Sequence, residues 1–469
     1  MRNNRALLAL AMAFTLLAGV VEAAATITII NADPAGQGFN DPTAADPVGG
    51  NTGTTLGQQR LIAYQAAADK WAATVNSQVP IRILATWEAL GCSDSSAVLG
   101  LAGAAEVFRD FPNAPRARTW FSKAQANALA GVDQDPTSAD IRAKFNINLG
   151  QPGCLTGTFF YLGLDGKNGD NPDLVSVLTH EFGHGLGFQT LTDGQTGAQA
   201  VGLPSIWDFF LLDTMTGKTW DQMTDGERVA SAKRVGKLVW NGSNVNSAAL
   251  SVLSWGTPNL LVTQPDSVAG SYLVGTATFG PALADPAVTG QVGTFVDTDP
   301  GMALACGPLS DTNAAAVAGK IALIDRGICS FVAKTANLQA AGAIGVIIAD
   351  NAAGSPPPGL AGSDPTIQIP AVRISNADGV LLKTALADGS GSVMAALGIN
   401  PLQPQGTDTA GRVLMYAPNP YQPGSSISHF DISGVPRQLM EPTFANISIH
   451  EVTPPNDLTY ILLKEIGWP

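Results

Sequence analysis

"LVSVLTHEFGHGLGFQT", residues 174–190, is the stretch on which the reading of this chain turns. Its apolar residues Leu174, Val177 and Leu178 recur at helical spacing, and His180 and His184 stand four apart. On a helix both imidazoles therefore leave from one face and can reach one ion. Glu181 lies about 100° around from His180, offset toward water held by that ion. Catalytic zinc takes three protein ligands and keeps a fourth position open, and one short helical face supplies only two. The bland alternative is a helix with two incidental histidines. A chain with only four histidines in 469 residues rarely places two of them around a glutamate by accident.

A third ligand must come from elsewhere, and the sequence offers several. His429 lies in "SSISHFDISGVPRQLMEP" (425–442) and His450 in "ISIHEV" (447–452); Asp208 and Asp213, in "IWDFFLLD" (206–213), would suit a scheme with an acidic third ligand. His450 also reads as a surface or packing histidine. Met440 reads as apolar floor beneath a metal, since a thioether matches catalytic zinc poorly.

Composition limits the remaining classes. The chain is 45% hydrophobic and only 13% charged, with a formal charge of −13, which fits a globular protein of two or three domains. That charge argues against nucleic acid or an anionic membrane surface as partner, since either would need clustered Lys and Arg. Residues 1–25 carry Arg2 and Arg5, then an apolar run, then small residues suited to cleavage after Ala23 or Ala25. This reads as a signal peptide; a membrane anchor is the alternative, but a span needs about 20 apolar residues and no later stretch supplies one. The mature chain is expected to be secreted. In that setting Cys92, Cys154, Cys306 and Cys329 are expected to form two disulfides, paired by proximity as Cys92–Cys154 and Cys306–Cys329. No CxxC pair supports a cysteine-zinc site.

Along the chain, residues 26–31 and 81–87 alternate as strands do, and Leu61, Tyr64, Ala68, Trp71 and Val75 mark an amphipathic helix with Thr55 as N-cap. Residues 157–164 read as another strand, followed by the loop "DGKNGDN" and the histidine helix, with Asn171 as N-cap and Pro172 at its first position. Asp165, Asn168, Asp170 and Asp173 could bind a structural calcium ion through oxygen ligands; their spacing matches no EF-hand, and a solvated turn is the plainer reading. From about Gly270 the texture becomes rich in Gly, Ala and Val and low in charge, which marks a separate module of about 145 residues.

Two resemblances follow from particular segments. "GKIALIDRGICSFVAKTANLQAAGAIGVIIADN" (319–351), with "IPAVRIS" (369–375), resembles the protease-associated (PA) domain; its own residues read as a buried strand, a helix from Lys334 to Ala341 ended by Gly342, and a second strand. PA domains are non-catalytic lids or recruiting modules of exported hydrolases and receptors. "HEFGHGLGF" resembles the metzincin zinc peptidases, whose pattern is HExxHxxGxxH: His180, Glu181, His184 and Gly187 fit it, and Thr190 departs from it where the third histidine should stand. "SHFD" followed by "LMEP" is similar to the third-histidine and Met-turn segment of leishmanolysin-like metzincins, in which an insertion separates that ligand from the HExxH helix.

The resemblance implies an α+β metzincin-like peptidase domain, a mixed sheet plus the active-site helix, interrupted by a PA α/β insertion. It runs as signal peptide 1–25, peptidase part 26–258, PA-like insertion 259–400 and peptidase part 401–469. It implies one zinc ion on His180, His184 and His429, Glu181 as general base toward zinc-held water, and protein or peptide substrates lying along an edge strand, for which 157–164 is the candidate. No nucleic acid, cofactor other than metal, or membrane anchor is expected. The rival from another class is a secreted binding protein that uses the PA-like module and keeps the metal for structure; a structural zinc site has no use for Glu181.

Overall fold

Alternation in "ITIIN" and "IRILATWE" produces the first two strands, β1 (Ile27–Asn31) and β2 (Ile81–Glu88), paired in parallel. The computed structural model describes residues 24–298, 301–388, 392–443 and 448–469. The expected leader therefore lies outside the described residues except for Ala24 and Ala25. Ala25 is buried and donates its N–H to the Ala72 carbonyl, a bond that cleavage after Ala23 retains and cleavage after Ala25 removes.

Between these strands runs α1 (Leu56–Ala72), whose N-cap is Thr55, its hydroxyl accepting the Gln58 N–H. Tyr64, Ala68 and Trp71 are fully buried as their spacing predicts, whereas Leu61 is 40% exposed. The sheet continues through β3 (Gly100–Ala104) and β4 (Ile141–Asn146) in the order β1-β2-β4-β3. Only the β3–β4 pair is antiparallel, so β3 is an edge strand running against the others. The histidine helix, α2 (Leu174–Leu186), is buried along its whole length and tied to α1 by the Trp71 indole N–H, which bonds the Thr179 carbonyl at 2.8 Å.

A second unit is built on eight strands. Its root is an antiparallel pair, β5 (Trp255–Gln264) with β9 (Met394–Pro404), so the two ends of the inserted segment leave the first unit side by side. Beyond β9 follow Val288–Gly293, then parallel strands β6 (Ile321–Asp325), β7 (Gly345–Ala349) and β8 (Ala371–Ile374). Both faces of these strands are covered, which explains their unbroken apolar runs. Ile321, Leu323, Ile347 and Val372 enter one core, and Ala322, Ile324, Val346 and Ile348 the other. The helix expected from Lys334 starts earlier, at Phe331, because the Ser330 hydroxyl caps the Ala333 N–H. Gly342, at φ +85°, follows its end.

Disulfides Cys92–Cys154 and Cys306–Cys329 form as paired by proximity, with Cα separations of 4.8 and 5.7 Å. No helix among the described residues is long and apolar enough to cross a membrane.

Two local expectations are corrected. Residues 157–164 form no strand: only Tyr161 makes a bridge, to Asp173. The aromatic content that suggested a strand serves packing instead, with the Phe160 ring 5.7 Å from that of Trp87. The helix N-cap is Asp173 and not Asn171: its Oδ1 accepts the Ser176 N–H at 2.7 Å. Pro172 lies outside the helix, and its carbonyl accepts the Tyr161 N–H.

Candidate active site

The glycines of "HEFGHGLGF" allow the helix to sit deep in the fold. A Cβ at Gly185 would lie 2.4 Å from the Ile141 side chain on β4, and one at Gly183 would lie 2.9 Å from Met440 Sδ. Gly187 ends the helix at φ +118°, a conformation that glycine adopts without a Cβ clash, and turns the chain so that the Phe188 carbonyl faces back to His184.

Each histidine is oriented by a backbone carbonyl on its Nδ1. His180 meets Leu439 O at 2.8 Å, His184 meets Phe188 O at 2.7 Å and His429 meets Ser425 O at 2.7 Å. A carbonyl only accepts, so each Nδ1 carries the hydrogen and each Nε2 presents a lone pair. The three Nε2 atoms face one another at 3.1, 3.2 and 3.2 Å. Three converging lone pairs have no hydrogen to share, and a cation is the species that satisfies them. Separations of this size would let His180, His184 and His429 together hold one zinc ion and leave it a position for water. Burial holds the imidazoles neutral: it pushes His184 down to about 4, and pushes His180 and His429 well below the usual range, with a further contribution from His184 at His180 and from both His184 and His180 at His429. Among the described residues this is the group of His, Cys, Asp and Glu that could hold a metal.

Glu181 stands beside the triangle. Its Oε2 accepts the Ala102 N–H of β3 at 2.7 Å, and burial raises it to about 8 against that hydrogen bond. The histidines and Glu181 open on a cleft of about 850 Å³, bordered on one side by β3 and on another by Pro423–Ser425. Residues 157–164 do not supply the edge beside the helix; β3 does. Its flanking bonds, Asn146 N–H to Leu99 O and Ala105 N–H to Asp140 O, fix the alternation, so Gly100, Ala102 and Ala104 turn their backbone groups away from β4.

The other candidates lie elsewhere. His450 Nε2 is 3.0 Å from Asp173 Oδ1 at the helix N-cap, outside the triangle. Asp208 is buried and accepts the Thr190 and Thr192 hydroxyls and the Ser205 N–H; Asp213 pairs with Arg234. Thr190, at the position where the compact motif has its histidine, instead places its N–H on Ser428 Oγ, next to His429. Met440 packs under Gly183, between the two helical histidines. The calcium expectation finds no support: Asp165 accepts the Tyr161 hydroxyl, Asp173 caps the helix, and the loop carboxylates form no metal-holding group among the described residues. Sequence reading missed Ala102, whose contribution is a backbone N–H. It also missed Asp457, a buried carboxylate that holds the Leu439 N–H at 2.6 Å and so fixes the carbonyl that orients His180.

Comparison with known proteins first identifies the inserted unit: the PA domain family model matches residues 288–382, and the chain carries a PA domain. The relatives found include the probable lipoprotein aminopeptidase LpqL of Mycobacterium tuberculosis, 30% identical over 199 residues that make up 42% of this chain and 33% of that protein. They also include the C5a peptidase of Streptococcus pyogenes, 51% identical over 67 residues, 14% of this chain and 6% of that one. The chain thus spans a third or less of these curated relatives. A solved zinc aminopeptidase of Bacillus subtilis is 25% identical over 33% of this chain and 36% of its own, at a TM-score of 0.23, too low to carry an inference about fold.

Proposed function

We propose that this chain is an exported zinc-dependent peptidase in which His180, His184 and His429 hold one ion and Glu181 is the general base. The observation that carries the reading is the triangle of three Nε2 lone pairs with a buried carboxylate beside it on an open cleft. Peptidase relatives support the class. The metzincin plan rests on geometry alone: a helix carrying HExxH, a glycine turn after it, a distant third histidine and a methionine beneath.

Bound on the triangle, a zinc ion supplies Lewis acidity and lowers the pKa of water to about 7. The three neutral imidazoles leave its charge uncompensated, and that charge favours ionised Glu181 against burial. Ala102 fixes Glu181 through Oε2, which leaves Oε1 to take a proton from the attacking water and return it to the departing amine, a contribution of about 10²- to 10⁴-fold. An extended substrate would pair with the outward groups of Gly100 and Ala104 and with the Ala102 carbonyl, the Ala102 N–H being held by Glu181, so main-chain bonds give affinity and cleft side chains give preference.

Cleavage of internal bonds is the reading for the substrate. The aminopeptidase name of one relative favours a second one, removal of N-terminal residues. That activity needs an anion near the scissile bond for the substrate's ammonium group, and Asp170 is the carboxylate besides Glu181 among the cleft residues. Casein digestion blocked by a chelator and restored by zinc tests the peptidase reading; cleavage of an N-acetylated peptide at an internal bond supports the endopeptidase, and cleavage confined to peptides with a free N-terminus supports the second reading.

A further inference from the structure

The inserted unit, and the residue that leads into it, touch the chain on either side of His429. After β9 the chain forms a hairpin: the Tyr416 N–H bonds His429 O, the Ile427 N–H bonds Tyr416 O, and the Asp431 N–H bonds Leu414 O. Residues 418–426 are its tip, which supplies the Ser425 carbonyl that orients His429 and the Pro423–Ser425 wall of the cleft. At Asn419 this tip is bridged to Ser355, a residue inside the PA match, by both backbone bonds: Ser355 N–H to Asn419 O at 2.8 Å and Asn419 N–H to Ser355 O at 3.0 Å. On the other side, Ser254, which precedes β5, donates its N–H to Val435 O at 2.6 Å.

Beyond Asn419 the tip is tied internally around Gln422, which also accepts the Ser425 N–H. The Gln422 N–H bonds Ser426 Oγ, the Ser426 N–H bonds Gln422 O, and the Tyr416 hydroxyl bonds Gln422 Oε1. We propose that the PA domain is a positioning element for the third histidine: the Ser355–Asn419 bridge holds tip 418–426 and through it the Ser425 carbonyl that aims His429. The inserted unit then completes the metal site rather than serving only as an appendage that meets substrates. Loss of an outer partner of a metal-ligating histidine weakens metal binding about 10- to 100-fold.

This inference rests on the zinc-site reading, and the test separates the two. In the full-length protein, Ser355→Pro removes the N–H given to Asn419, whereas Ser355→Ala keeps both backbone bonds. Zinc dissociation constants from chelator competition and the visible absorption of the cobalt(II) form are the readouts. Ser355→Pro is expected to weaken zinc about 10-fold or more and to shift the cobalt bands, with Ser355→Ala matching wild type. Because the proline variant can misfold locally, amide exchange in wild type is the second measurement: by linkage, zinc should slow exchange at Ser355 and Asn419. Unchanged zinc affinity in Ser355→Pro, or exchange at Ser355 indifferent to zinc, overturns the positioning role. If wild type binds no zinc, the site reading itself fails and this proposal falls with it.

Discussion

Replacing Glu181 with Gln should make the chelated protein more stable while destroying its activity, and both magnitudes follow from the site. Burial raises the Glu181 carboxyl from its ordinary 4.5 to about 8. At pH 7 the unfolded chain carries this group ionised, whereas the fold holds it largely protonated. A carboxyl whose folded pKa is raised loses stability as pH climbs from 4.5 toward 8, so it opposes folding by about 3 kcal/mol at pH 7 and by under about 1 kcal/mol at pH 5. Gln keeps an oxygen for the Ala102 N–H and removes the ionisation. Denaturant unfolding of the chelated proteins should therefore show Glu181→Gln more stable by about 3 kcal/mol at pH 7, with the gain falling to about a quarter of that at pH 5. The zinc-loaded variant should lose about 10²- to 10⁴-fold in kcat/KM. A variant that is no more stable at pH 7 than wild type would refute the burial argument, and one that retains full turnover would remove Glu181 from the chemistry.

Zinc should survive mild acid. Burial keeps His184 neutral down to about 4 and its two partners neutral well below the usual range, so protons compete only as pH falls through those depressed values. Half-release measured by dialysis against a zinc indicator is expected below about pH 5, and half-release near 6.5, where free histidine titrates, would contradict it. Gly187→Ala forces a Cβ onto φ +118° and to 3.0 Å from Ser122 Oγ, which should lower stability by about 1–3 kcal/mol in chemical unfolding and loosen the Phe188–His184 bond. Opening the Cys92–Cys154 and Cys306–Cys329 bridges, which span 62 and 23 residues, by paired Cys→Ser changes should cost about 4 and 3.5 kcal/mol respectively. Unfolding free energies within 1 kcal/mol of wild type would show that neither loop is constrained as the chain-entropy picture holds.

What the sequence disclosed is local. The HExxH spacing, the strands with clean alternation and the apolar runs of the inserted unit are each set by periodicity over a few residues, and they stand where that periodicity puts them. The edge strand was illegible for the opposite reason. "GLAGA" has weak strand propensity and forms because β4 and the buried helix hold it; a Cβ at Gly100 would meet the Phe145 ring at 3.0 Å. "GTFFYLGL" looked like a strand because aromatic residues favour strands and packed loops alike, and only the tertiary contacts distinguish them. The orienting carbonyls of Leu439, Phe188 and Ser425 left no trace in residue type, since any residue carries one. Asp457 left a faint trace, an acid two residues before an apolar helical run.

Metal content of purified variants tests the central proposal most directly. Wild type should hold one zinc ion per chain against a chelator, His450→Ala should hold it equally, and His429→Ala should lose it together with activity. Zinc held as tightly in His429→Ala as in wild type, or lost instead from His450→Ala, would contradict a site closed by His180, His184 and His429.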